Sequence, residues 1–283
     1  MKTHQNRRSE AQKREVNPLF VQSLEKGFAV LDAVAQSPQP ASLADLMSRT
    51  GLGKSAAQRF SHTLTALGYL HKDTATRRYC LSTRALDYTF AYLKASPLIA
   101  AAVPHLVDAS ELCHETINLV VPDGLDIVYI FRIPVRRTML VATLVGRRRP
   151  IHCTSGGRAM LSCLEDGEIA AVLAACPVQQ LTSKTITDRD SNQILIKRAR
   201  IDGYSVAVEE AMFGEIGISA PVVNMAGRPV AAVQSSVSTT NWTEKRVRSE
   251  LAPLILQTAR LISTPLAQIQ VAWPPDDLLK ISR

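Results

Sequence analysis

The stretch SLADLMSRTGLGKSAAQRFSH, residues 42–62, decides how the rest of the chain is interpreted. Its first half places Leu43 and Leu46 on one face of a helix. A second apolar stripe follows at the same helical spacing, at Ala57, Phe60, Leu64 and Leu67. Between the stripes, Gly51 can take the left-handed conformation that ends a helix, and Leu52 can fill the angle between the helices. The stretch therefore predicts a helix-turn-helix.

The second helix of this pair carries a polar face suited to nucleic acid. Ser55, Gln58 and Arg59 lie within one helical turn and His62 follows one turn later, so these side chains point the same way. Arg can bind guanine bidentately and Gln can bind adenine, while Ser or Lys near a helix start can hold phosphate. We expect DNA contacts from Ser42, Lys54, Ser55, Gln58, Arg59 and His62. The alternative is an ordinary helical hairpin with a solvated polar face.

The flanking segments predict a complete winged helix. Before the pair, an apolar stripe indicates a helix that packs on it, with Leu24, Phe28, Leu31 and Ala35. After the pair, β-rich runs at residues 69–72 and 78–81 flank a turn and indicate a β-hairpin. Arg77 and Arg78 at its tip are donors suited to phosphate or the minor groove. This hairpin favours nucleic-acid binding over a bland helical hairpin.

Composition and charge support the same interpretation. The 283 residues are 46% hydrophobic and 20% charged, which is typical of a soluble protein large enough for two domains. Residues 1–80 hold 12 Lys or Arg against 6 Asp or Glu, whereas the remaining 203 residues hold 21 against 19. A positive excess concentrated in one segment implies an acidic partner, usually nucleic acid. Since no apolar run is long enough to span a membrane and the start lacks the apolar core of a signal peptide, we expect a cytoplasmic protein with no membrane partner.

The residues offer little support for catalysis. Five cysteines include no C-x-x-C pair, which favours free thiols over disulfides or structural zinc. Cys153 beside His152 could be a metal ligand or a nucleophile, but neither interpretation is favoured by the spacing. Paired carboxylates and a phosphate-binding loop are not recognisable either. We expect no catalytic residue, no metal site and no cofactor.

The chain is divided into five segments. We expect a disordered basic arm at residues 1–17, a winged helix at 18–81, a linker helix at 82–97, an effector-binding domain at 98–270 and a tail at 271–283. Ser82 can cap the linker helix, whose apolar stripe of Leu86, Phe90 and Leu93 we expect to pack on a second subunit. In the large segment, β-rich runs at residues 115–121, 125–132, 138–145, 204–209, 216–223 and 229–237 alternate with helical patterns, which predicts an α+β domain with an antiparallel sheet. Residues 147–149 are a run of arginines, usually a solvated turn.

Several blocks of the sequence, in order, resemble the IclR family of bacterial transcriptional regulators. They include FVQSLEKGFAVLDAV at residues 20–34, the stretch quoted first, VYIFRIPVRRTMLVATLVGRRRPIHCTSGGRAML at 128–161 and GYSVAVEEAMFGEIGISAPVVNMAGRPVAAVQSSV at 203–237. The resemblance implies a DNA-binding winged helix, a GAF-like effector-binding domain and assembly as dimers or tetramers. Two stretches, PVRRTMLVATLVG and FAYLKASP, are most similar to the branch that controls protocatechuate, 4-hydroxybenzoate or catechol breakdown.

The branch implies an activator that responds to a small aromatic acid and contacts RNA polymerase. Three alternatives stay open: a repressor with a non-aromatic organic acid as effector, a GAF-like enzyme with a basic accessory domain, and a winged helix that binds RNA or protein.

Effector contacts are expected from the residues and from the resemblance. The sequence TSGGR at residues 154–158 precedes a helix, where backbone N–H groups can attract a carboxylate, although a plain helix start is equally plausible from the residues. An Arg pair at residues 136–137 could bind a carboxylate in fork geometry or lie on the surface. The resemblance adds polar and glycine positions late in the chain, while Ala207, Gly217 and Val223 depart from the family signature. The expected set is Arg136, Ser155, Gly156, Gly157, Glu210, Gly217, Ser219, Gln234 and Ser236.

Overall fold

A computed structural model describes residues 18–134, 145–177 and 179–266 of the chain. The chain divides into two compact units, with the boundary between Ala95 and Ser96. The expected basic arm, Arg136, nearly all of the strand expected at residues 138–145 and the expected tail lie outside the described residues.

The first unit is a winged helix, as the sequence predicted. Its helices and strands, in chain order, are α1 (Gln22–Ala35), α2 (Leu43–Thr50), α3 (Lys54–Ala66), β1 (Leu70–Lys72), β2 (Tyr79–Leu81) and α4 (Ala85–Ala95). Strands β1 and β2 pair antiparallel, and an isolated bridge joins Ala41 to Tyr79. The hairpin is thereby attached to the segment that leads into α2.

The turn between α2 and α3 has the predicted geometry. Gly51 has a φ of 70° and donates its N–H to the carbonyl of Met47, which ends α2. Leu52 packs against the core of the unit, so it fills the angle between the helices. At the other end of α2, Ser42 and Asp45 form a reciprocal capping box.

Helix α1 uses a different face from the predicted one. Val30, Ala33 and Val34 are buried in the core, whereas Leu24 and Phe28 are 59% and 57% exposed. The prediction that the stripe beginning with Leu24 and Phe28 packs on the helix-turn-helix is therefore wrong for those two residues. The reason is that α1 carries two apolar stripes, and the sequence does not show which one faces inward.

Helix α4 begins later than predicted and has no buried residue. Ser82 does not sit at its cap, because its hydroxyl accepts the N–H of Arg84 and donates to the carbonyl of Gly68 instead. The start of α4 is joined to the wing by Tyr69, whose ring stacks on Tyr88 at 6.1 Å and lies 4.7 Å from the Arg84 guanidinium.

The second unit contains one antiparallel sheet with helices on its faces, which confirms the predicted α+β class. Its strands are β3 (Thr116–Asp123), β4 (Asp126–Ile133), β5 (Arg148–Pro150), β6 (Ser205–Val208), β7 (Glu215–Val223) and β8 (Pro229–Ser238). They are ordered β5–β4–β3–β8–β7–β6. Its helices are α5 (Pro97–Cys113), α6 (Ser155–Leu161), α7 (Asp166–Ala175), α8 (Arg189–Asp202), α9 (Glu244–Arg246) and α10 (Ala252–Leu266), with a π-helical stretch (Val247–Leu251) joining the last two.

The arginine run contributes a strand, contrary to the solvated turn expected for residues 147–149. Arg148 and Arg149 pair with Val128 and Ile127 in β4, and Arg148 forms an ion pair with Asp123. The edge of β4 offers backbone hydrogen bonds that a run of long side chains does not prevent. The Arg148 side chain is exposed, and that of Arg149 is half-buried.

The two faces of the sheet have different coverings. Helices α6, α7 and α8 form a core with Val120, Ile127 and Tyr129 on one face. Apolar residues on the other face of β7 are buried, and α10 packs against β7 and α5. Along the described residues, no single helix is long and apolar enough to cross a membrane, and only α4 and α5 taken together reach that length and apolarity.

Candidate functional site

The predicted recognition face is exposed on α3. Lys54, Ser55, Gln58, Arg59 and His62 all face solvent. The opposite side of the helix is buried through Ala57 and Ser61, and the Ser61 hydroxyl donates to the Ala57 carbonyl within the helix. The helix therefore presents five hydrogen-bonding side chains on one accessible face, as base and phosphate contacts require.

Two of the expected DNA contacts are bonded within their own unit. Ser42 is the N-cap of α2, and its hydroxyl is hydrogen-bonded to Asp45. These bonds hold the pKa of the Asp45 carboxyl below its usual value. Arg78 donates to the carbonyl of Pro40 at 2.8 Å and lies 3.6 Å from Asp45, so it braces the base of the wing. Arg77 is exposed at the wing turn with a φ of 57°.

A row of polar side chains crosses one face of the large sheet. The register pairs Ser205 with Ser219, Ser219 with Gln234, Gln234 with Asn118, and Asn118 with Arg132. Directly paired residues of antiparallel strands share a face, so these five residues, called the polar row below, lie side by side across five strands. Four of the five are buried, and Arg132 is half-buried.

Three adjacent members of the polar row have buried atoms without a hydrogen-bond partner in the described structure. They are Nε of Arg132, Nδ2 of Asn118 and Oε1 of Gln234. Arg132 Nη1 donates to Asn118 Oδ1 at 3.4 Å. Buried polar groups are nearly always paired in folded proteins, so these three adjacent atoms mark a place where water or a ligand supplies the missing bonds.

The start of α6 lies against the same row. The hydroxyl of Ser155 is 2.8 Å from that of Ser219, and a Cβ on Gly217 would come within 2.8 Å of the Ser155 oxygen. A Cβ on Gly156 would meet the Val120 side chain at 2.8 Å, and one on Gly157 would lie 1.9 Å from the Ile151 carbonyl oxygen. The glycines therefore allow close packing of α6 on the sheet, and the N–H of Gly157 is already bound by Thr154.

Charged groups surround the polar row on the same face. Burial raises the pKa of the Glu215 carboxyl, partly offset by a bond from Ser236 at 3.2 Å and by nearby arginines. Burial also lowers the pKa of Arg132 and Arg149 and raises that of Tyr129. The environment is therefore poorly hydrated, and a bound group would experience strong electrostatic interactions.

Glu210, expected among the effector contacts, lies outside the polar row and is bonded to other groups of the second unit. Its carboxylate is bound by the Arg158 guanidinium through two bonds of 2.5 and 2.7 Å and accepts the N–H of Ile186. Arg158 is fully buried and also binds Asn192 and the carbonyl of His152. Both charges are satisfied by each other, so neither is free for a ligand.

The remaining expected effector contacts lie in or next to the polar row. Ser155, Gly156, Gly217, Ser219 and Gln234 meet at the row, and Ser236 lies beside it on β8. Asn118, Arg132 and Ser205 were missed, although Asn118 and Arg132 are single polar residues inside apolar β-rich runs, a signal that the sequence did contain.

The Cys153 thiol and the His152 imidazole are poorly suited to nucleophilic catalysis. Burial raises the pKa of the Cys153 thiol to about 11, which leaves it protonated and weakly nucleophilic at neutral pH. Burial likewise lowers the pKa of His152. Among the described residues, there is no group of three or more His, Cys, Asp or Glu side chains placed to hold a metal ion.

Comparison with protein families matches both parts of the chain. Residues 23–74 match the IclR helix-turn-helix domain, and residues 90–264 match the family described as bacterial transcriptional regulator IclR C-terminal.

Individual relatives cover most of the chain. The Pca regulon regulatory protein of Pseudomonas putida is 32% identical, over 86% of this chain and 84% of the relative. The p-hydroxybenzoate hydroxylase transcriptional activator of Acinetobacter baylyi is 29% identical, over 85% of this chain and 90% of the relative. The crystal structure of RHA06195 from Rhodococcus sp. RHA1 is similar with a TM-score of 0.75 and 36% identity, covering 88% of this chain and 99% of that one.

The buried Arg158–Glu210 pair can be tested by removing one charge. Glu210→Gln should lower the free energy of unfolding by about 3–5 kcal/mol, because it leaves the Arg158 charge buried and uncompensated. Glu250→Gln, which breaks the exposed Arg246–Glu250 pair, should change stability little and is the matched control. Urea denaturation of both variants measures the difference. Equal stability of the two variants would contradict the structural role of Glu210.

Proposed function

The chain belongs to the IclR family of bacterial transcriptional regulators, and we propose that it activates an operon for aromatic-acid breakdown when it binds a small aromatic acid. The protein is a DNA-binding regulator with an effector-binding domain, so the alternative of a GAF-like enzyme is wrong. We place it in the cytoplasm, associated with the nucleoid, and infer contact with RNA polymerase at activated promoters.

The polar row is the observation that carries the effector part of this proposal. The row supplies two donor atoms, on Arg132 and Asn118, and one acceptor atom, on Gln234, that lack partners. They lie on a poorly hydrated face of the sheet, which Ser155 also contacts. Small-molecule sites typically combine a few such polar groups with apolar surroundings, and the pair Val120–Tyr129 lies on the same sheet face next to the row. The Acinetobacter relative is named as a p-hydroxybenzoate hydroxylase transcriptional activator, which supports an aromatic acid as effector and activation as the response.

For operator binding, we propose that Lys54, Ser55, Gln58, Arg59 and His62 read or position the major groove. Arg77 reaches the backbone or minor groove from the wing. Ser42 and Arg78 are bonded within the unit, so we assign them an indirect part, as supports of α2 and of the wing.

The first unit has an apolar groove, and we propose that it binds a second copy of the chain. The groove has a volume of about 1020 Å³ and is lined by α1, α3 and the start of α4. Its lining includes Leu24 and Phe28 of α1, which are exposed and do not enter the core, and Leu31, which is half-buried against the core. Exposed apolar grooves can mark interaction sites in soluble proteins, and a symmetric dimer would present two recognition helices to a palindromic operator. A tetramer is a pair of such dimers.

Effector response can be tested on DNA upstream of the neighbouring genes. We expect a salt-dependent gel shift, together with increased transcription in vitro when 4-hydroxybenzoate or 3,4-dihydroxybenzoate is added. Decreased transcription, or a response to non-aromatic acids alone, would favour the repressor alternative. If the protein did not bind duplex DNA at low salt, the operator proposal would be abandoned.

Base reading by α3 predicts a specific effect of Arg59→Ala. Binding to the operator should fall about 10-fold to 100-fold, the usual value of a bidentate base contact, while binding to random duplex changes little. Arg260→Ala, an exposed arginine of the second unit, is the control. An equal fall on both DNAs would show that Arg59 contacts phosphate.

Association through the apolar groove predicts that Phe28→Glu weakens the dimer by at least about tenfold, since a charge would be buried at the interface. Analytical ultracentrifugation of the full chain measures this change. Met225→Glu replaces a more exposed apolar residue outside the groove and should sediment as the wild type does. A Phe28→Glu protein that remains dimeric would rule out this interface.

A further inference from the structure

The three unpartnered atoms of the polar row lie on three consecutive strands. Gln234 is on β8, Asn118 on the adjacent β3 and Arg132 on β4. Gln234 is 3% exposed and Asn118 is 0% exposed, so solvent does not satisfy their side chains. Neighbouring strands are about 4.8 Å apart, which spreads the three positions over about 10 Å.

The chemistry of the three atoms differs along the row. Nε of Arg132 and Nδ2 of Asn118 are hydrogen-bond donors, whereas Oε1 of Gln234 is an acceptor. The two donors are neighbours, and one of them belongs to a cation. An acceptor group with negative charge therefore fits one end of the row, and a donor group fits the other.

We propose that the effector is a hydroxy acid held end to end, with its carboxylate on Arg132 and Asn118 and its hydroxyl donating to Gln234. This inference rests on the proposed function, since it assumes that the polar row is the effector site. It names the two groups that the ligand must carry, and it makes Arg132 and Gln234 the specificity-determining residues.

Neighbouring side chains are consistent with this orientation. Ser155 and Ser219, whose hydroxyls are 2.8 Å apart, stand beside Gln234 at the hydroxyl end. The charge of Arg132 is the group in the row that can neutralise a carboxylate, as a guanidinium does with two oxygens. Glu215 and Ser236 are already bonded to each other, so Ser236 is less available to the ligand.

An acid without a hydroxyl would leave Gln234 Oε1 buried and unpaired. A site built to hydrogen-bond a hydroxyl discriminates strongly against the analogue that lacks it, because the unpaired protein group loses its water without replacement. The row therefore selects for the hydroxyl as well as for the charge.

The test is calorimetric titration of the full chain with matched probes. One pair is 4-hydroxybenzoate and benzoate, a second pair is 4-hydroxybutyrate and butyrate, and 4-hydroxybenzamide tests the need for charge. We expect the hydroxylated acid of the pair that binds to bind at least about tenfold tighter than its partner, and tighter than the amide.

Two variants and a control test which residues cause the preference for the hydroxyl and for the carboxylate. Gln234→Met, close in shape but without an acceptor, should remove the preference for the hydroxyl. Arg132→Gln should remove the preference for the carboxylate over the amide. Arg148→Gln alters an exposed arginine of β5 that is paired with Asp123, and it should change neither preference. Thermal unfolding establishes that each variant is folded, and the probe comparison on the wild type needs no variant.

The outcomes separate this inference from the proposed function. If 4-hydroxybenzoate alters operator binding but benzoate binds equally well, the end-to-end assignment is overturned while the aromatic effector stands. If only the aliphatic pair binds and shows the hydroxyl preference, the assignment stands and the aromatic effector is wrong. If both preferences persist in Gln234→Met and Arg132→Gln, or if neither pair binds, the assignment is overturned.

Discussion

The fully buried ion pair between Arg158 and Glu210 holds the helix on which the candidate effector site depends. Helix α6 spans only Ser155–Leu161, and an isolated helix of that length is unstable in water. Arg158 attaches it to the segment around Glu210 and to Asn192 on α8. In its first turn, α6 approaches the sheet so closely at Gly156 that a Cβ there would meet the Val120 side chain at 2.8 Å. These constraints together place Ser155 beside the polar row.

The same sheet face combines an apolar core with a polar row, and the division follows the register. Val120 and Ile127 pack under α6, and Val120 lies on β3 next to Asn118 on the same face. Since a slip of one residue in a strand moves every side chain to the opposite face, the register that buries the core also assembles the row. Unpaired polar atoms in such a place cost stability, which is understandable where a ligand supplies the missing bonds.

The first unit divides its surfaces in a comparable way. Helix α3 exposes a polar face toward DNA, and α1 exposes Leu24 and Phe28 although its other apolar stripe fills the core. An apolar face left uncovered next to a DNA-reading face suits a protein that recognises two half-sites, because association sets the distance between the two recognition helices.

Local features of the sequence were sufficient for much of the fold. Apolar periodicity, Gly51 and the strand runs determined the winged helix, the sheet strands and the exposed face of α3, since these depend on neighbours a few residues apart. Arg78 and Ser42 are bonded within the first unit, which local patterns do not show because a donor at a surface turn can bind either DNA or its own domain.

The amino-acid sequence by itself determined where helices and strands form, which end of the chain is basic and which side chains of α3 face outward. Only the tertiary structure decided that Glu210 binds Arg158 and that Asn118, Arg132 and Gln234 form one row. The physical reason is that these relations join residues up to 116 positions apart, through strand register and burial, and no local pattern encodes which distant charge or amide will be opposite.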